Sequence, residues 1–139
     1  MSQEPRGIRN NNPLNIIKTN INWQGTAQTQ QDDRFISFIE PEYGIRAAGK
    51  ILQTYNEKHG LNTVRGIVNR WAPPVENDTS AYVQAVSIWA DFDPDDPLDM
   101  TDYETNFRLL RAMTRMENGK PPEPNEVWYP DDTWEKGLR

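Results

Sequence analysis

Apolar residues recur at helical spacing over four stretches of the chain, and each stretch is bounded by residues that start or stop helices. Each stretch begins with proline or a capping side chain, and most of them end with glycine or proline. The stretches run from Pro41 to Gly60, from Asn62 to Pro74, from Glu76 to Trp89 and from Thr101 to Gly119. The pattern predicts a mainly α protein.

Two short runs break this pattern and are rich in β-branched and aromatic residues, at Asn15–Lys18 and Arg34–Phe38. The polar stretch between them contains Trp23 and reads as a long hairpin-like excursion. Asp32 and Asp33 lie at its returning edge, where solvated turn residues are the ordinary interpretation. The runs predict a small β-hairpin beside the helices, and hence an α+β variant of a helical fold.

Three consecutive asparagines precede Pro13 near the start of the chain. Asparagine side chains compete for backbone hydrogen bonds, and proline restricts the residue before it, so this segment is a structured turn and not a helix interior. Its amides either hold the backbone together or, at Asn11 and Asn12, line a groove that binds sugars, because amides match hydroxyl and acetamido groups. The sequence leaves both interpretations open.

Length and composition narrow the classes of function. At 139 residues the chain predicts a single domain, 1–139, with a proline-rich tail over 120–139 that packs through Trp128, Tyr129 and Trp134. Cysteine is absent and His59 is the single histidine, which leaves no thiolate chemistry and predicts no metal site. The net charge of −6 argues against a nucleic-acid partner. No apolar run is long enough for membrane insertion, and the N-terminus lacks a signal-peptide core, so synthesis in the cytoplasm is expected.

The candidate for chemistry is Glu117, near the end of the fourth helix. It follows Leu110 and Met113 at helical spacing, which places it on the apolar side of that helix. Poor solvation there raises the pKa of a carboxyl group and keeps it protonated near neutral pH, as a general acid requires. The alternative interpretation is that Glu117 turns outward with the last helical turn.

Two resemblances add to this reading. The segment Arg6–Ile16 resembles the RGIRNNNPGNI opening of a group of small bacteriophage proteins described as virion components or as lysozyme-like. The resemblance continues through Trp23-Gln24-Gly25, the Tyr43 segment and Arg70–Pro74, and this chain has Leu14 where the group usually has glycine. A glycine-only backbone conformation is therefore not expected at Leu14.

The same front part also resembles the lysozyme-like superfamily, closest to bacterial glucosaminidases, in which a helix ending in the catalytic glutamate precedes the asparagine turn. Here that helix is missing from the front. Arg111–Gly119 resembles the I-x-x-x-E-x-G end of lysozyme and lytic-transglycosylase catalytic helices. The resemblance implies a circularly permuted lysozyme-like fold, which is physically permissible because chain termini often lie close together.

This resemblance implies cleavage of the β-1,4-linked glycan strands of peptidoglycan, with Glu117 as general acid and no metal or organic cofactor. Asp33 is the first candidate for a second acid and Asp32 the next; without either, the acetamido oxygen of the substrate would attack. Asn11, Asn12, Trp23 and Tyr82 would line the groove. The bond that is cut, and hydrolysis against anhydro-sugar formation, stay open.

The resemblance also implies a site of action at the cell wall in the periplasm, reached from the virion, through a holin or by secretion. Other virion proteins are possible partners on this view. The alternative function is a non-catalytic virion protein that keeps a lysozyme-like groove for binding peptidoglycan or proteins.

Overall fold

The computed structural model describes residues 4–75 and 77–139, and this part of the chain is mainly helical. The prediction of a mainly α protein is confirmed. The helices are α1 (Arg6–Arg9), α2 (Pro41–His59), α3 (Val64–Trp71), α4 (Thr79–Ala90), α5 (Tyr103–Asn118) and α6 (Asp131–Leu138).

Capping side chains explain where three of these helices begin. Thr63, Asp78 and Asp102 each accept a hydrogen bond from the backbone N–H three residues later, which satisfies a donor that the first turn leaves unpaired. The cap of α5 is Asp102, one residue after the start of the predicted stretch at Thr101. Glu76, the first residue of the stretch predicted for the third helix, lies outside the described residues.

The C-terminal segment contacts α2 and α5 through a helix, α6, that the sequence did not predict. Trp134 on α6 is 1% exposed and stands at right angles to the ring of Phe107 on α5. Gly137 lets α6 lie against α2, because a Cβ there would come within 2.7 Å of Ile45 Cγ2. The aromatic Trp134 therefore fills the core, which was the default interpretation for the tail.

The predicted β-hairpin does not form regular strands in the part of the chain that the structure describes. An isolated antiparallel bridge pairs Ile17 with Phe35 across the two runs, and a second pairs Thr26 of the excursion with Phe38. The backbone N–H groups of Lys18 and Ile36 bond across the runs, and the side chains of Asn12 and Gln30 bond to the backbone of the second run. The two runs therefore lie side by side through single antiparallel bridges, and the small β-hairpin stays a prediction.

One hydrophobic core joins the front segment to the helices, with Leu14, Leu52, Leu110 and Trp134 among its most deeply buried members. Helices α4 and α5 are antiparallel, because Tyr82 near the start of α4 contacts the end of α5, while Arg108 bonds to the carbonyl of Ala90. Among the described residues, no helix is both long and apolar enough to cross a membrane.

Candidate functional site around Glu117

The side chain of Glu117 is held between the front of the chain and α4. Asn15 Nδ2 donates to its Oε1 at 2.9 Å, and the hydroxyl of Tyr82 donates to its Oε2 at 2.9 Å. Residues 102 positions apart along the chain thus meet at one carboxylate. Glu117 does not turn outward into water, so the alternative interpretation of its position is wrong.

The backbone of the asparagine turn brings Asn15 to this position. Asn11 and Asn15 both adopt positive φ, 54° in each case, a conformation that asparagine tolerates better than most side chains do. Leu14 between them is fully buried and is not among the residues with positive φ. The leucine therefore anchors the turn in the core, while the asparagines take the strained positions, in line with the expectation for Leu14.

Helix α1 and the turn lie unusually close to the end of α5. A Cβ on Gly7 would lie 2.6 Å from Asn118 Oδ1 and 2.8 Å from the backbone oxygen of Asn12, so only glycine fits there. The side chain of Asn118 also donates to the carbonyl of Pro13 at 2.7 Å. These contacts fix the distance between the turn and Glu117.

Burial raises the pKa of Glu117, and the two hydrogen bonds from Asn15 and Tyr82 oppose that shift by stabilising the carboxylate. Burial, together with the neighbouring Glu117, also raises the pKa of Tyr82 well above its ordinary value. The groups that bond to Glu117 are neutral, and its pKa moves upward. Burial therefore makes Glu117 a weaker acid than a solvated glutamate, beside a phenol whose pKa is raised as well.

Asp32 lies on the other side of the asparagine turn and has the opposite electrostatics. Arg6 Nε and Nη2 donate to its two oxygens at 2.5 and 2.7 Å. The backbone N–H groups of Arg34 and Phe35 and the amide of Asn10 also bond to it. The Arg6 bond, followed by that from Phe35, lowers the pKa of Asp32 well below its ordinary range. Asp32 is therefore an anion that ties the end of the excursion to Arg6.

Asp33, the first candidate for a second acid, points into solvent. Its side chain is 98% exposed and lies 3.4 Å from Arg6 Nη2. In the described residues no hydrogen bond or ion pair joins it to Glu117 or to the groups that hold Glu117. The structure thus does not bring Asp33 into one cluster with the predicted general acid.

The predicted groove residues separate into different environments. Asn12 is fully buried, and its amide bonds to the backbone of Ile16 and Ile36, which leaves no polar atom for a sugar. Its predicted place in a groove is therefore corrected to a structural one. Asn11 bonds to the carbonyl of Phe38 and remains partly accessible. Trp23 is half-buried against the core, on the excursion.

Of the predicted site residues, the structure brings Tyr82 and Glu117 into direct contact. Asn15 completes the cluster and was not predicted as a site residue. A sequence signal existed, because Asn15 comes three residues after the asparagine run, yet the positive φ that aims its side chain at α5 is a property of the folded turn. No group of His, Cys, Asp or Glu in the described residues could hold a metal ion.

The cluster therefore defines a helical protein with a shielded carboxyl group between a front asparagine turn and two antiparallel helices. No protein-family model matches the chain. The chain is 38% identical to Protein P5 of Pseudoalteromonas phage PM2 over 141 aligned positions, which cover 99% of this chain and 82% of the relative. The chain belongs to the family of that phage protein.

Proposed function

We propose that this phage protein cleaves the glycan strands of peptidoglycan, with Glu117 as the general acid, in a lysozyme-like and circularly permuted arrangement. The observation that carries the proposal is the environment of Glu117. A carboxyl group at the end of a helix is shielded from water, has neutral partners, and has a raised pKa. A glycosidic leaving oxygen needs such a proton donor, because an ionised carboxylate has no proton to give.

The permutation is supported by the order of the elements around that acid. The asparagine turn comes from the front of the chain and the glutamate from α5, yet the two share a hydrogen bond. In lysozyme-like glucosaminidases the acid-bearing helix precedes the turn. A helix moved to the rear of the chain would reproduce the same contact with the opposite order.

The two acids of the excursion, Asp32 and Asp33, are poorly placed to act as a nucleophile on the sugar. Asp32 is occupied by Arg6 and by backbone N–H groups, so its oxygens are not available to attack a sugar. Asp33 is solvated and lies beside Arg6. Attack by the acetamido oxygen of the substrate on the anomeric carbon, as Glu117 protonates the leaving oxygen, therefore fits the described residues better than a second protein carboxylate does. The C6 hydroxyl of the same sugar would then displace the acetamido oxygen and return a proton to Glu117, which gives an anhydro sugar.

The test is lysis of outer-membrane-permeabilised bacteria, followed as loss of turbidity. We expect Glu117→Gln to reduce the rate by about 10²-fold or more, since general acid catalysis contributes that much. Glu57→Gln, an exposed position on α2, is the matched control and should lyse like the wild type. Equal lysis by both variants would exclude Glu117 as the acid. Mass spectrometry of the released fragments distinguishes anhydro from reducing ends.

A second function is favoured by a specific feature of the site. Both oxygens of Glu117 already have partners, and Glu117 lines neither the cavity beside Tyr103 nor the cavity beside Arg111 on α5. A phage protein that uses this fold to bind other virion proteins or the wall, without cleaving it, would have this closed arrangement. Absence of lysis by the wild-type protein, with retained binding to isolated wall material, would favour that function.

A further inference from the structure

A cavity of about 450 Å³ lies between α5, the end of α4 and the C-terminal segment, away from Glu117. Tryptophans and cations form most of its wall. They include Trp89, Trp128 and Trp134 together with Arg111, Arg115 and Lys120. On a chain with a net charge of −6 this concentration of positive charge is unexpected, because the cavity has three cations and one acid, Glu126.

The two arginines are held by aromatic rings and not by carboxylates. The guanidinium carbon of Arg115 lies 4.3 Å from the centre of the Trp89 ring, and that of Arg111 lies 4.5 Å from the centre of the Phe107 ring. Within residues 4–75 and 77–139, the ion pairs that arginines form involve Arg6, Arg65, Arg108 and Arg139. Stacking on a ring orients a guanidinium while leaving its N–H donors available for an anion.

A buried donor on the same wall lacks an acceptor. Trp134 is 1% exposed, and its indole N–H has no hydrogen-bond partner among the described residues. An unpaired buried donor is unfavourable because it has lost its bond to water, so a bound acceptor would recover part of that loss. By contrast, the indole N–H of Trp128 is already used, since it donates to the carbonyl of Gly119 at 2.9 Å and fixes that ring at the cavity.

We propose that this cavity binds a short acidic peptide. Arg111, Arg115 and Lys120 would pair with its carboxylates, and the rings of Trp89 and Trp128 would contact its apolar side chains and backbone. The indole N–H of Trp134 would donate to a carbonyl or carboxylate oxygen. The proposal is independent of glycan cleavage and of Glu117.

The lining favours a peptide over a simple anion or a polyanion. Glu126 would repel a phosphate or a nucleic acid, but it can accept hydrogen bonds from peptide N–H groups. Val127 and Pro121 add apolar surface that a phosphate would not use. A ligand that carries carboxylates, N–H donors and aliphatic groups together matches all of these features.

The test is a titration of the full chain with an N-acetylated, C-amidated tetrapeptide of three glutamates and one leucine. Its matched control contains glutamine in place of each glutamate, and inorganic phosphate is a third probe. Tryptophan fluorescence measures binding, and the NMR resonance of the Trp134 indole N–H shows whether the peptide binds in this cavity. We expect saturable binding of the acidic peptide, a downfield shift of that resonance, and at least about tenfold weaker binding of the glutamine peptide.

Variants locate the binding surface. Arg115→Gln should weaken binding about tenfold, as loss of a charge-assisted contact does. Arg70→Gln is the matched control, because Arg70 also stacks on a ring, that of Tyr55, but lies elsewhere, and it should bind like the wild type. Equal affinity for the glutamine peptide, an equal response to phosphate, or an unchanged Trp134 resonance at saturation would each overturn the proposal.

Discussion

The asparagine turn has two polar faces that differ in how their carboxyl groups are compensated. On the face toward the excursion, Asp32 is matched by the Arg6 cation and by backbone donors, and its pKa is lowered. On the face toward α5, Glu117 is matched by neutral donors and is shielded from water, and its pKa is raised. The same turn thus contacts two acids with opposite shifts: the pKa of Asp32 is lowered and that of Glu117 is raised.

The difference shows why spacing from the asparagine turn does not identify a reactive acid. Asp32 and Asp33 are nearer to the turn in sequence than Glu117 is, but Arg6 lowers the pKa of Asp32, and the side chain of Asp33 is exposed to solvent. The reactivity proposed for Glu117 depends on its burial beside Tyr82, which lies in another helix. The two faces can be separated experimentally.

The largest loss of stability is expected for substitution of Asn12, on which both faces of the turn depend. Asn12→Ala would leave the backbone groups of Ile16 and Ile36 without the amide that joins them, and should lower the free energy of unfolding by about 3 kcal/mol. Chemical denaturation measures this. Asn69→Ala, which removes one exposed hydrogen bond on α3, is the control and should change stability little. Similar losses for both would show that Asn12 is not the centre of the turn.

A smaller effect is expected on the α5 face alone. Tyr82→Phe removes a hydrogen bond to the Glu117 carboxylate and should cost about 1.5 kcal/mol at neutral pH. Because that bond stabilises the ionised form, its loss should raise the pKa of Glu117 further, which NMR titration of the carboxyl carbon measures. Tyr43→Phe, whose hydroxyl forms no side-chain hydrogen bond among the described residues, should leave that pKa in place.

The two acids should give opposite pH dependences of stability. In the folded protein Glu117 holds its proton to higher pH than in the unfolded chain, so the unfolded state binds fewer protons and stability falls as pH rises above about 4.5 toward the folded pKa. Asp32 releases its proton at lower pH when folded, so its contribution is present at neutral pH and is lost as pH falls below about 4.

Thermal unfolding of Glu117→Gln and Asp32→Asn across this range separates the two effects. For Glu117→Gln, the melting temperature should no longer decline as the pH rises toward neutral. For Asp32→Asn, it should decline less as the pH becomes acidic. Parallel curves for wild type and Glu117→Gln between pH 4 and pH 8 would contradict the raised pKa.

The smallest effect is expected at Asp33. Its exposed side chain faces water, so Asp33→Asn should leave the melting temperature unchanged within error. If the protein lyses cell walls, the same variant also tests the second acid: unchanged lysis fits attack by the substrate acetamido group. A loss of lysis comparable with that of Glu117→Gln would restore Asp33 as a catalytic residue.

The sequence by itself determined four of the helices, α2 to α5, and the approximate position of their ends. Apolar spacing and the residues that start or stop helices are local properties, and they predicted these four with small shifts at the boundaries. Local spacing also placed Glu117 on the apolar side of α5. Helix α6 was not predicted, because its packing on α2 depends on a distant glycine contact at Ile45.

Only the tertiary structure decided which polar residues meet. The sequence assigned Asn11 and Asn12 to the asparagine turn and Asn15 to a β-rich run, but the positive φ angles of Asn11 and Asn15 send these two side chains to different places. Asn12 points into the core, Asn11 to the Phe38 carbonyl and Asn15 to Glu117. Hydrogen bonds between residues far apart in the chain depend on how the turn and the helices pack, and no local pattern encodes that geometry.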